Sequence, residues 1–132
     1  MSTEHNKQLV RRLYEDCFNT GNLELLPALL AADFIGSRGE KGPAEFAQTV
    51  QGLRAGFPDV YFEIEDLIAE GDRVAARWQF RATHLGTFAG VAATGRPVIQ
   101  TANVIYAVSG GKLSRAWLQA DRLGLLQQIG GV

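Results

Sequence analysis

The chain has 132 residues, of which 46% are hydrophobic and 20% charged, and a formal net charge of -1. That is the size of one domain, 1–132, with enough apolar content for a real core and too much for a disordered segment. The near-neutral balance supplies no pull towards nucleic acid or an anionic membrane, and the lone Cys17 excludes an internal disulfide. The polar start MSTEHNK and the lack of an apolar run near ~20 residues argue against a secretory leader or a spanning helix, so a cytoplasmic location is expected.

Apolar residues first recur as Leu9, Val10, Leu13, Tyr14, Cys17 and Phe18, the spacing of one helix face. Ser2 or Thr3 can cap this helix and Asn19-Thr20-Gly21 ends it. Asn22 suits the N-cap of a second helix carrying Leu25, Leu26, Leu29 and Leu30, with Pro27 in its first turns. A short segment, Asp33-Phe34-Ile35, precedes the glycine-rich loop SRGEKG. Pro43 opens a third helix whose apolar face is Phe46, Val50 and Leu53, and which Gly56 ends.

After Phe57-Pro58-Asp59 the period changes from 3.6 to 2. Phe62 and Ile64 alternate with Glu63 and Glu65, and Glu70-Gly71-Asp72 turns the chain. Ala76, Trp78, Phe80, Ala82 and His84 then alternate with Arg77, Gln79, Arg81 and Thr83. The loop GTFAGVAATGRP follows; it is no phosphate cradle, because it lacks a Gly-Lys-[Ser/Thr] ending and does not open a helix. Val98 to Val108 and Leu113 to Ala120 are strands joined at Ser109-Gly110-Gly111, and Leu123 to Ile129 is a short helix. Helices followed by a strand meander predict an α+β fold, with N-terminal helices packed on an antiparallel sheet.

The segments FPDVYFEIEDLIAEGDRVAARW, ATHLGTFAGVAATGRPV and GGKLSRAWLQADRLGLLQQIG resemble the SnoaL-like polyketide cyclase family. That family lies within the nuclear-transport-factor-2-like superfamily. The most specific parts are the T-H-x-G-x-F-x-G…T-G-R run and the W-x-x-x-D-x-x-G-L-L-x-Q-[IL]-G ending. The resemblance implies a cystatin-like α+β cone: a strongly curved sheet enclosing an apolar pocket, and a homodimer through the outer sheet face. It also implies a small apolar or polycyclic substrate and no metal or organic cofactor. In the cyclases an aspartate on the last strand removes a proton from a keto-ester, and the enolate closes a ring by intramolecular aldol reaction. That aspartate matches Asp121.

Asp121 therefore has two readings. Burial beside Trp117, Leu118, Leu123, Leu125 and Leu126 would make it a better base. As the residue before a helix it would instead cap free backbone N–H groups, which favours the anion and weakens the base. His84, on the apolar face of its strand, would polarise a carbonyl or simply brace the next turn. Strand alternation puts Trp117, Gln119 and Asp121 on one face, where Trp117 would stack on a flat substrate or pack in the core. Tyr14, Phe34, Phe46, Val50 and Trp78 are the other candidates for the pocket wall, although apolar periodicity does not separate wall from core. Thr101 and Asn103 interrupt an apolar strand, either to orient substrate in a wet cavity or because that face is solvated or dimeric. Two isolated histidines make a zinc site unexpected. The strand Ile99-Gln100-Thr101-Ala102-Asn103 lacks the Asp and Arg of an epoxide-hydrolase relay. The alternatives to a cyclase are a related dehydratase, isomerase or epoxide-opening enzyme, or a non-catalytic small-molecule binding protein.

Overall fold

The computed structural model describes residues 2–132. Its first helix, α1 (Thr3–Arg12), starts at Ser2, whose side chain accepts the His5 N–H. It runs on into a π-helical turn, Leu13–Phe18, in which the Asn19 N–H reaches back to the Tyr14 carbonyl at 2.9 Å. The widened turn brings Tyr14 and Phe18 to the same side, their rings stacked with centroids 5.2 Å apart. Such turns are rare and recur at functional sites. Asn19 then fastens the helix end to the sheet, since its side chain donates to the Phe62 carbonyl and accepts the Phe62 N–H.

Asn22 caps as expected, accepting the Glu24 N–H, but the second helix is only a 3₁₀ turn (Leu23–Leu25) and one α turn, α2 (Leu26–Leu29). Leu30, whose spacing placed it on that helix, is instead the first residue of strand β1 (Leu30–Ile35). Its backbone is already extended, and it pairs in register with Leu113. Here long-range pairing overrides local periodicity. Helix α3 (Gly42–Gly56) begins with Pro43 in its first turn, as the sequence predicts.

The remaining strands are β2 (Tyr61–Glu70), β3 (Arg73–Thr83), β4 (Pro97–Ser109) and β5 (Lys112–Ala120), followed by α4 (Arg122–Gln128). One sheet holds them in the order β1-β5-β4-β3-β2. All neighbours are antiparallel except β1 and β5, which are parallel. The expected α+β architecture is therefore present. Register shifts between Ile64 and Asp66, and between Ala107 and Val108, mark bulges that bend the sheet around α1 and α3. Along β4, Val98, Gln100, Ala102, Val104 and Tyr106 turn inward, while Ile99, Thr101, Asn103 and Ile105 turn outward. Among the described residues no helix is long and apolar enough to cross a membrane.

Candidate active site

The bent sheet, α3 and two loops (36–40 and 84–96) surround a cavity of about 720 Å³. That is within the range of small-molecule sites. Tyr14, Phe18, Phe46, Phe62, Trp78 and Phe80 supply aromatic walls. Phe62 is the hub: its ring lies 4.7 Å from both Phe18 and Trp78, and 5.2 Å from Tyr14 and Phe80.

At the floor the hydroxyls of Tyr14 and Tyr106 meet at 2.5 Å. Burial pushes the Tyr14 phenol up to about 12, against the weaker opposing effects of the Tyr106 hydroxyl and the Trp78 indole. Tyr106 is raised well above the ordinary tyrosine value by burial, by Tyr14 and by the Glu40 charge. Both phenols are therefore neutral at physiological pH. Two O–H groups then share one bond between them, and the second proton is left for another acceptor. Nearby, the Trp78 indole N–H faces Tyr14 closely enough to favour its anion but forms no well-aligned hydrogen bond, and the buried amide oxygen of Gln100 has no partner either.

The mouth is charged. Glu40 is fixed by two bonds: its Oε1 accepts the Arg38 backbone N–H at 2.9 Å, and its Oε2 accepts the Thr49 hydroxyl at 2.9 Å. Arg38, Glu40, Thr49 and Arg122 all line the cavity. The Arg122 guanidinium sits 4.6 Å from the centre of the Phe88 ring, a cation–π contact. Burial, and then the Arg38 charge, lower its proton affinity.

Of the residues singled out in the sequence, Tyr14, Phe46 and Trp78 line this cavity. Phe34 and Val50 are core residues behind its wall; Phe34 meets Phe46 edge-on at 5.5 Å. His84 is fully buried but braces the 84–96 loop rather than facing the cavity. Its Nδ1 accepts the Thr94 N–H at 3.2 Å and bonds the Thr94 hydroxyl at 2.9 Å, and its ring packs 5.5 Å from Phe57. Trp117 and Asn103 do share a face, but it is the outer one: they line a shallow groove with Ile105, Arg77 and Asp66. The physical reason is the strand phase, because inward Val104 pairs with Leu118 and outward Asn103 with Gln119.

Asp121 takes the capping geometry. Its Oδ1 accepts the Gly124 N–H at 2.9 Å, and the residue is exposed and outside the cavity lining. A side chain at position 124 would collide with that carboxylate, which accounts for glycine in D-R-L-G. The cap starts α4 at Arg122, the residue that does reach the cavity. Glu40, Arg38, Gln100 and Arg122 escaped sequence reading. Gln100 was the most accessible, as a polar residue in phase with buried Val98, Ala102 and Val104. Among the described residues no cluster of three or more His, Cys, Asp or Glu is arranged to hold a metal ion.

The family model of SnoaL-like polyketide cyclases matches residues 8–129. The fold is similar to that of TsrD from Streptomyces laurentii (TM-score 0.92, 23% identity, covering 100% of this chain and 99% of that one). It is also similar to IdmH from Streptomyces antibioticus, a proposed polyketide cyclase (TM-score 0.80, 31% identity, covering 93% and 96%). A third relative is AclR from Streptomyces galilaeus, a proposed hydroxylase (TM-score 0.87, 27% identity, covering 99% and 84%). No curated protein sequence matches. With nearly its whole length inside the family model and with the curled sheet, helices and aromatic cavity described above, the chain belongs to the SnoaL-like polyketide cyclase family.

Proposed function

We propose that the protein binds a small aromatic or polycyclic carbonyl compound in the aromatic cavity and moves a proton on it, ending in intramolecular aldol ring closure. The observation that carries this reading is the floor: a neutral tyrosine pair with one O–H to spare, beside an unpartnered indole N–H. A cavity whose floor offers donors suits a ligand oxygen that gains negative charge, as a keto group does on becoming an enolate. The buried aromatic surroundings strengthen such bonds.

The base in this reading is Glu40. Its carboxylate lines the cavity, is held in place by Arg38 and Thr49, and lies near enough to Tyr106 to affect its ionisation. Glu40 would take the proton from the carbon flanked by carbonyls while the tyrosine pair donates to the enolate oxygen. The enolate carbon then attacks a second carbonyl, whose oxygen recovers a proton. All steps use side-chain acid–base groups. The outer sheet face, where Ile68, Ile105 and Trp117 are 66%, 46% and 43% exposed, supplies the surface for a homodimer.

The test uses a naphthyl β-keto ester in deuterated water, with exchange of its acidic methylene followed by NMR. Wild type should accelerate exchange, Glu40→Gln should lose about 100-fold of that acceleration, and Asp121→Asn should retain most of it. Loss in Asp121→Asn with retention in Glu40→Gln would return the base to Asp121. Binding of the ester without any acceleration would make the protein a carrier rather than a catalyst.

A further inference from the structure

Arg38 and Arg122 converge on the mouth of the same cavity from different elements, the SRGEKG loop and the start of α4. Two guanidiniums near one another repel, so such an arrangement normally comes with an acid between or beside them. Here acids line the same cavity, but neither Arg38 nor Arg122 forms an ion pair among the described residues. Two carboxylates reach the loop, and neither engages a guanidinium: Glu40 accepts the Arg38 backbone N–H and the Thr49 hydroxyl, and Glu45 accepts the Lys41 backbone N–H. By contrast Arg77, on the outer face, is satisfied by both Glu65 and Asp66 at 2.8 and 2.7 Å.

Arg122 is also held in place. Its guanidinium lies over the Phe88 ring at 4.6 Å, and the Asp121 cap fixes the first turn of its helix. This leaves its fork of N–H donors directed by the fold and not by a counter-charge. Burial and Arg38 both work against its proton, as expected where a compensating anion is missing. Planar guanidinium donors match a carboxylate in bidentate fashion, which a neutral ester does not reproduce.

We infer that Arg38 and Arg122 form an anion subsite at the cavity mouth, and that the ligand is an aromatic carbonyl compound bearing a free carboxylate. This rests on the reading of the aromatic cavity as the ligand site. It adds a direction: the ring system enters towards Phe62 and the tyrosine pair, and the carboxylate stays at the rim.

The experiment compares equilibrium binding of naphthoate and its methyl ester by calorimetry, on wild type, Arg38→Gln, Arg122→Gln and the double variant. Wild type should prefer the acid by about tenfold or more at low salt, and the preference should shrink with added salt. Each single variant should reduce it, and the double variant should bind the acid no more tightly than the ester. Equal binding of acid and ester by wild type would overturn the anion subsite and leave the cavity reading intact. An acid preference that survives in the double variant would overturn it too. If neither compound binds wild type, the cavity reading fails and the subsite with it.

Discussion

Tyr14 and Tyr106 are 92 positions apart in the chain, yet their hydroxyls meet at 2.5 Å beneath the aromatic cavity. A π-helical turn presents the first and the inward phase of β4 presents the second. Deleting either hydroxyl leaves the other buried without its partner. Tyr14→Phe and Tyr106→Phe should therefore each destabilise the fold by about 1–3 kcal/mol, the cost of an unsatisfied buried group. The double Phe variant should cost less than the sum, as measured by urea unfolding in a double-mutant cycle. Strict additivity would mean that the two hydroxyls do not interact.

The same pair sets the response to alkaline pH. Tyr14 has its folded value raised from 10.0 to about 12, and Tyr106 is raised well above 10.0. A raised folded value means that the folded state holds its proton longer than the unfolded chain. This contribution to stability is fully present below the ordinary tyrosine value near 10 and is lost as pH rises through 12. Tyrosinate absorbance should accordingly show two phenols that ionise only as the protein unfolds at high pH. Replacing both residues by Phe should remove that late step and flatten the loss of stability between those values.

The outer sheet face carries exposed apolar side chains of its own. Ile68, Ile105 and Trp117 are exposed there, and Arg73 and Arg115 lie 5.5 and 5.2 Å from the Trp117 ring. If this face joins two copies, Ile105→Lys should shift sedimentation from dimer to monomer, because a charge cannot be buried at an apolar contact without a partner. Binding of naphthoate in the cavity on the opposite face should be little changed. A variant that stays dimeric would place the contact elsewhere.

The sequence carried the architecture well and the site less well, for definite reasons. Period-2 alternation located β2 to β5 almost to the residue, because one face of each strand is dry and the other wet. Alternation does not say which face looks into a cavity. It leaves Trp117 between substrate stacking and core packing, and Asn103 between a wet cavity and a solvated or dimeric face; the pairing of β4 with β5 puts both on the outer face. Leu30 followed helical spacing until it paired with Leu113. Tyr14, Phe46 and Trp78 were legible because apolar bulk and cavity wall coincide there. Arg38 and Glu40 sit in a glycine-rich loop, where no period exists to read, and only the folded chain brings them opposite Arg122.

The D-R-L-G sequence couples a helix cap to the cavity mouth. Asp121 accepts the Gly124 N–H, and this cap starts the short helix that carries Arg122 to the cavity mouth. Asp121→Ala should cost about 1 kcal/mol, the usual loss for an N-cap, whereas Asp121→Asn should cost much less, because Asn caps equally well. Gly124→Ala should resemble Asp121→Ala, since its new methyl group would occupy the space of the carboxylate. If Asp121 acts by positioning Arg122, Asp121→Ala should also reduce the preference for naphthoate over its ester, and Asp121→Asn should restore it. Unfolding curves and the paired titrations read the two effects separately. A fall in stability with an unchanged acid preference would leave Asp121 a helix cap and nothing more.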